Sequence, residues 1–496
     1  MQRPGSSHDL RTASGVAARP GKPGLAKLRT AILGVALFAQ LAAGCGNKTK
    51  SDAGGSNQPV ATPVGAKSDG SAKADGSAKA DGTVKADGSA KASGSATASG
   101  SATGSGSNGA TASNTTPSAK GGANFIDDAK LLYWAAACGD RDAKTPDVLA
   151  SGDDKKADKV ATIVKRHCKA VMDRMADFRK TYFDKGRAWF DSVVPKDIKT
   201  VVYPFGGGDL LSALVAFPDA SEITTISLEM AGDPRRIKDL TPSQLESSLG
   251  ALRAEIGGLV SVGSNTSENL SKQQRNELPG QVSSFLLGLV AGGFEPVAMR
   301  YFTLADDGQI HYLDQAEIDS LDAKSKEHRP KSLKHDWMSP NFSEAFGNVE
   351  IEYRKIGDTQ IRVHRHIGWN LGDDYLHKHP QLIEHLSSKG KVAMLTKGAS
   401  YLLWSPNFTL IRNYMLDHMT WMLSDSTGIP PTLATGFTQE TYGHYNGAFL
   451  EGPRGNRHDE AFKKLWATNP HKSLAFRFGY VDADGAAHLV VTKPKA

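Results

Sequence analysis

Six side chains and one glycine have the types and positions from which chemistry could be built: Tyr203, Gly207, Asp209, Glu229, Lys397, Ser400 and Asp425. Gly206-Gly207-Gly208 precedes a predicted helix, where bare N–H groups can hold a phosphate or a carboxylate. Asp209 follows at once. It would repel phosphate, and it stands where a helix N-cap belongs, with its carboxylate placed to accept from the N–H of Leu211 or Ser212. Glu229 ends the next predicted strand, the position of the ribose-binding acid in a dinucleotide fold. The Gly-x-Gly-x-x-Gly spacing is absent, so a tight turn with a cap is the favoured reading. Lys397 and Ser400 reverse the Ser-x-x-Lys order of acyl transfer, and no Gly-x-Ser-x-Gly elbow is present. Asp425 ends an apolar run before Gly428-Ile429-Pro430-Pro431. Strand-end loops are where α/β folds place their sites, so Asp209, Glu229, Lys397 and Asp425 could converge.

The elements that would position them are legible around the glycines. Thr200–Tyr203 and Ile223–Leu228 are β-branched or apolar runs, and Leu210–Ala216 between them reads as a helix ended by Pro218. Two strands joined through a helix predict a parallel crossover. Helices are expected over 125–137, over 153–192 with a break near Gly186, from the Thr241-Pro242 start to 259, over 280–291, 380–388 and 408–423. Residues 318–346 read as polar and irregular. Val392–Thr396 reads as a strand. Hairpins are expected around Asp306-Asp307-Gly308, Gly357-Asp358 and Asp484-Gly485. The fold class is α/β, a mixed sheet with at least one parallel β-α-β crossover, added antiparallel hairpins and an N-terminal helical hairpin.

Tyr203-Pro204-Phe205-Gly206-Gly207-Gly208-Asp209 resembles the motif of an uncharacterised family of bacterial secreted proteins and lipoproteins, Tyr-Pro-Phe, small, Gly, any, Asp. Phe217-Pro218, Leu228-Glu229-Met230-Ala231-Gly232, Lys397-Gly398-Ala399-Ser400-Tyr401-Leu402 and Asp425-Ser426-Thr427-Gly428-Ile429-Pro430 continue the resemblance over about residues 125–496. Met230 stands where the family pattern has proline, and Thr427 is inserted. The resemblance sets boundaries and implies no activity.

His364 and His366 would share one face of a strand, with His377, His379, His385, Asp373 and Asp374 following. Arg362 lies on the same face and no His-Glu-x-x-His occurs, so a solvated polar face is favoured and no metal site is expected. Cys138 and Cys168 are expected to pair as a structural disulfide, since no Cys-x-x-Cys points to thiol catalysis.

The chain has 496 residues and a net charge of +6 without a basic cluster, so nucleic-acid binding is not indicated. Residues 1–44 read as an export signal. A basic stretch precedes an apolar run from Ala31 to Ala43 that closes on Gly44-Cys45, which resembles a bacterial lipoprotein signal with Cys45 as the lipidated residue. Residues 45–120 are a low-complexity tether with a six-residue repeat, of the type Ala74-Asp75-Gly76-Ser77-Ala78-Lys79, and too few apolar residues to fold. A helical hairpin is expected over 121–195 and an α/β domain over 196–496. The expectation is an extracytoplasmic protein anchored to the bacterial envelope by lipid, a binding or scaffold protein with no cofactor called for. Two alternatives stand beside it: a hydrolase using acidic residues at strand ends, and a degenerate Rossmann-like, methyltransferase-like fold.

Overall fold

The computed structural model describes residues 120–140, 142–259, 277–327, 343–397, 399–425, 428–445, 456–476, 478 and 488–495. The signal, Cys45, the tether before Lys120 and the turn Asp484-Gly485 lie outside the described residues, as do Gly398, Ser426 and Thr427.

Ten strands form one mixed sheet: β1 Thr200–Pro204, β2 Glu222–Ser227, β3 Phe294–Leu304, β4 Ile310–Tyr312, β5 Asn348–Lys355, β6 Arg362–Gly368, β7 Val392–Thr396, β8 Met419–Ser424, β9 Phe437–Gly443 and β10 His488–Pro494. Their spatial order is β4-β3-β5-β6-β2-β1-β7-β8-β10-β9. β6, β2, β1, β7 and β8 are mutually parallel, and β5, β3, β4 and β10 add antiparallel pairs. Renumbered among themselves in chain order, the parallel strands run 3-2-1-4-5, the order of a doubly wound sheet. The expected crossover is therefore present, and β1 lies where the chain's direction of winding reverses.

Alternation distributes the strand residues between two faces. Val201, Tyr203 and Ile223 join one apolar cluster, Val202 and Ile226 the other. Helices cover both faces, as parallel strands require. The first cluster takes residues from α1 (Ile126–Ala135), α2 (Asp154–Phe178), α3 (Asp184–Val193), α4 (Leu210–Ala216), α5 (Pro242–Leu259) and α6 (Gly280–Gly292). The second takes Leu382 and Leu386 of α8 (Gln381–Ser387) and Ile411, Tyr414 and Met415 of α9 (Thr409–His418). Cys138 and Cys168 are joined with Cα atoms 5.4 Å apart, fastening the end of α1 to α2 as expected. Among the described residues no helix is long and apolar enough to cross a membrane.

Several sequence expectations need correction. The helix expected over 408–423 stops at His418, and Met419–Ser424 is β8, parallel to β7. A strand buried on both faces carries a continuous apolar run, which periodicity does not distinguish from a buried helix. The break in the long N-terminal helix is a π turn at Arg179–Phe183, ahead of Gly186. Part of the stretch read as irregular is α7, Gln315–Glu327. It is opened by a reciprocal cap: the Glu317 N–H donates to Asp314 at 2.9 Å, and the Asp314 N–H donates to Glu317 at 2.8 Å. Ala475 and Phe476 form a bend, and β10 pairs with β8 and β9. β9 and α10 (Asn456–Thr468) have no counterpart in the sequence reading. The strand face bearing Arg362, His364 and His366 is buried, the two histidines at 0% exposure, so it is not solvated.

Candidate functional site

The carboxyl ends of β1 and β7 bring Asp209 and Lys397 together. The glycine turn after β1 closes on itself, the Asp209 N–H donating to the Gly206 carbonyl at 3.0 Å. Gly207 has φ +51°, a conformation that favours glycine. At Gly208 the reason is space: a Cβ there would lie 2.7 Å from Gln281 Oε1. Asp209 then caps α4, accepting from the Ser212 N–H at 3.1 Å, as the sequence predicts. Its second oxygen accepts from the Tyr203 hydroxyl at 3.1 Å and from Lys397 Nζ at 2.7 Å.

Lys397 Nζ also donates to Ser212 Oγ at 2.9 Å and faces the rings of Tyr182 and Phe478, each 5.9 Å away. Tyr182 donates to the same Ser212 oxygen at 3.3 Å. The π turn delivers that tyrosine: of its five residues Tyr182 alone is buried. Burial works against the charge on Lys397, but Asp209, Tyr182 and Asp425 outweigh it and hold the ammonium above its ordinary pKa. Asp425, at the end of β8 and fully buried, accepts from Ser400 Oγ at 3.2 Å. Burial and the charges of Asp209 and Asp425 push the Tyr203 hydroxyl well above its usual range. Of the residues the sequence nominated, Tyr203, Asp209, Lys397, Ser400 and Asp425 thus form one electrostatic neighbourhood. Gly207 contributes backbone only.

Glu229 stands apart. Its side chain is 1% exposed, one carboxylate oxygen has no hydrogen-bond partner, and nothing among the described residues joins it to Asp209 or Lys397. Burial raises its pKa. Its carbonyl accepts from His366 Nε2 at 2.7 Å. That single bond fixes a chain of tautomers. His366 Nδ1 must then accept from Thr225 Oγ1 at 3.0 Å, so Thr225 accepts from His364 Nε2 at 3.0 Å, and His364 Nδ1 is left with a lone pair and no partner. Phe285 packs on both rings, 4.4 and 5.0 Å between centroids.

Sequence reasoning missed Ser212 and Tyr182. Ser212 carried a usable signal, since it lies three residues after the N-cap, on the first turn that Asp209 closes. Tyr182 carried none, because a π turn has no composition that marks it. Phe205, the aromatic of the motif, has φ +62°, an uncommon conformation for a bulky residue, and packs on Phe408 at 6.0 Å. A surface pocket lined by Phe190, Val194, Ile198, Phe217 and Ala220 lies at the amino-terminal ends of β1 and β2, away from all of these groups.

Chemically, the neighbourhood is balanced. The lysine proton is held, so Lys397 is not a base at neutral pH, and the Ser212 oxygen already accepts two donors. Searches against protein-family models, curated proteins and solved structures match nothing to this chain.

Proposed function

We propose that the chain is an exported, lipid-anchored protein of the bacterial envelope whose folded region binds or scaffolds other molecules without catalysing a reaction at the carboxyl ends of its strands. The observation that carries the second half is the Lys397–Asp209 ion pair. It fills the place where a doubly wound sheet ordinarily receives a ligand, and it leaves Ser212 without a general base. The hydrolase alternative needs a neutral lysine or a free carboxylate there. Its test is hydrolysis of activated ester, phosphoester and peptide substrates by the purified chain. Turnover that vanishes in Lys397→Met or Ser212→Ala, with folding retained, overturns the scaffold reading. Its absence from both wild type and variants is expected.

The export half rests on the apolar run that closes on Gly44-Cys45. Cys45→Ala is expected to move the protein from washed membranes into the soluble exported fraction. Persistent tight attachment of that variant would refute the lipid anchor.

One observation favours a second reading, the degenerate Rossmann-like fold. The parallel strands run 3-2-1-4-5, and Glu229 follows the last residue of β2 by two positions; both support a likeness to dinucleotide folds, which hold a ribose there. Reused as a scaffold, the fold needs no nucleoside. A shift in unfolding temperature with S-adenosylmethionine or NAD that is lost in Glu229→Gln would instead restore a nucleoside site.

A further inference from the structure

We propose that Cys138, His167 and Cys168, in their dithiol state, form a three-ligand site for a borderline-soft divalent cation of the zinc class. One potential ligand atom from each residue lies within 4.8 Å of the other two, and all three residues are buried. They come from a turn and a helix: Cys138 follows α1 with φ +64°, and His167 and Cys168 are neighbours on α2. Two thiolates and an imidazole are ligands zinc takes readily, leaving a fourth tetrahedral position for water.

His167 is held at both ring nitrogens. Its Nε2 donates to the Ala136 carbonyl at 2.9 Å. A metal-binding imidazole typically makes that bond with its other ring nitrogen, which fixes the tautomer. Nδ1 is therefore the nitrogen with the lone pair, and it accepts from the Arg253 guanidinium at 3.2 Å. Arg253 must give up that bond on metal binding.

The chemistry balances. A dithiol reductant delivers two electrons and two protons to the disulfide and leaves as its own cyclic disulfide. The divalent cation then displaces both thiol protons and bonds both sulfurs. Oxidation and metal binding are mutually exclusive, so the three residues serve as a clamp in one redox state and as a cation site in the other.

The test uses the full chain carrying Cys45→Ser, which removes the third thiol. The protein is reduced with dithiothreitol, freed of reductant under anaerobic conditions and titrated with Co2+, whose bonds to thiolate absorb in the near ultraviolet. The expected result is one equivalent of Co2+ bound with thiolate charge-transfer bands, displaced by Zn2+, and no such bands in the oxidised protein. His167→Ala should weaken binding at least tenfold. His167→Cys, which supplies another ligand at the same place, should restore it, separating loss of a ligand from loss of fold. Circular dichroism follows folding throughout. A folded, reduced chain that gives no charge-transfer bands overturns the proposal, as does His167→Ala binding Co2+ as tightly as its parent.

Discussion

Asp209 shows how much a single side chain can be under-read. From sequence it is an N-cap, and Asp209→Asn should then fold almost normally, because asparagine caps well. The cap is there, but the same carboxylate also accepts from Lys397 and Tyr203. The asparagine variant would still cap α4 and would leave the Lys397 ammonium, 22% exposed, with Ser212 as its remaining polar partner in this network. The expected loss is about 2 kcal/mol, below the range for a fully buried broken pair because water still reaches the lysine. Lys397→Met should cost less than Asp209→Asn, since Asp209 keeps its bonds from Ser212 and Tyr203 and the methionine fills the stem's volume. Urea unfolding of both variants measures the order, and the reverse order would show that the cap, rather than the ion pair, dominates at Asp209.

Among the elements, the legible parts were those whose signals are local. The glycine turn, the strands flanking it, the Thr241-Pro242 helix start and the hairpins around Gly308 and Gly357 all carry residues whose backbone requirements are visible one at a time. The Thr241 hydroxyl accepts from the Gln244 N–H at 3.3 Å, and Gln244 Oε1 accepts from the Thr241 N–H at 3.0 Å. Thr241→Ala should therefore lower stability by about 1 kcal/mol, measured by thermal or urea unfolding. The illegible parts depend on neighbours distant in sequence. β8 is a strand because β7 and β10 lie on either side of it. Tyr182 reaches the polar neighbourhood because a π turn rotates it inward. The convergence of Lys397 on Asp209 could be guessed from strand-end topology, yet the same guess included Glu229, which the fold buries elsewhere. The disulfide was legible from cysteine arithmetic. It closes a separation of 30 residues, and removing it as Cys138→Ala with Cys168→Ala should cost about 3–4 kcal/mol in the chain-entropy account.

For the molecule as a whole, the buried ionisable groups predict a two-step loss of stability in acid. Burial pushes His366 down to about 4 and His364 well below its ordinary 6.5, so both are neutral in the folded chain near pH 7. In the unfolded chain they take up protons near pH 6.5. Between that pH and the folded value the unfolded state binds more protons, so stability falls as the pH is lowered. The contribution is complete above about pH 6.5, declines toward pH 4, and for His366 alone amounts to roughly 3 kcal/mol. Thr225 and the Glu229 carbonyl occupy both His366 nitrogens, and Arg365, on the same strand, adds to the depression of His364. Glu440, held at about 2 by hydrogen bonds from Lys472 and Lys493, adds a smaller, solvent-screened share to a second step that belongs chiefly to Glu222. Burial works against the Glu222 charge, but Lys389 and Arg365 prevail and hold it at about 2. Its contribution is complete above about pH 4.5 and is lost as the pH falls toward 2. The urea midpoint of the wild type should therefore decline from pH 7 to 4 and again below 4.5. His366→Asn should start lower at pH 7 and run flatter between pH 6.5 and 4, by close to one proton in slope, while keeping the lower step. An unchanged slope in that variant would mean that His366 already takes its proton in the folded chain, and that the tautomer chain through Thr225 does not hold it neutral.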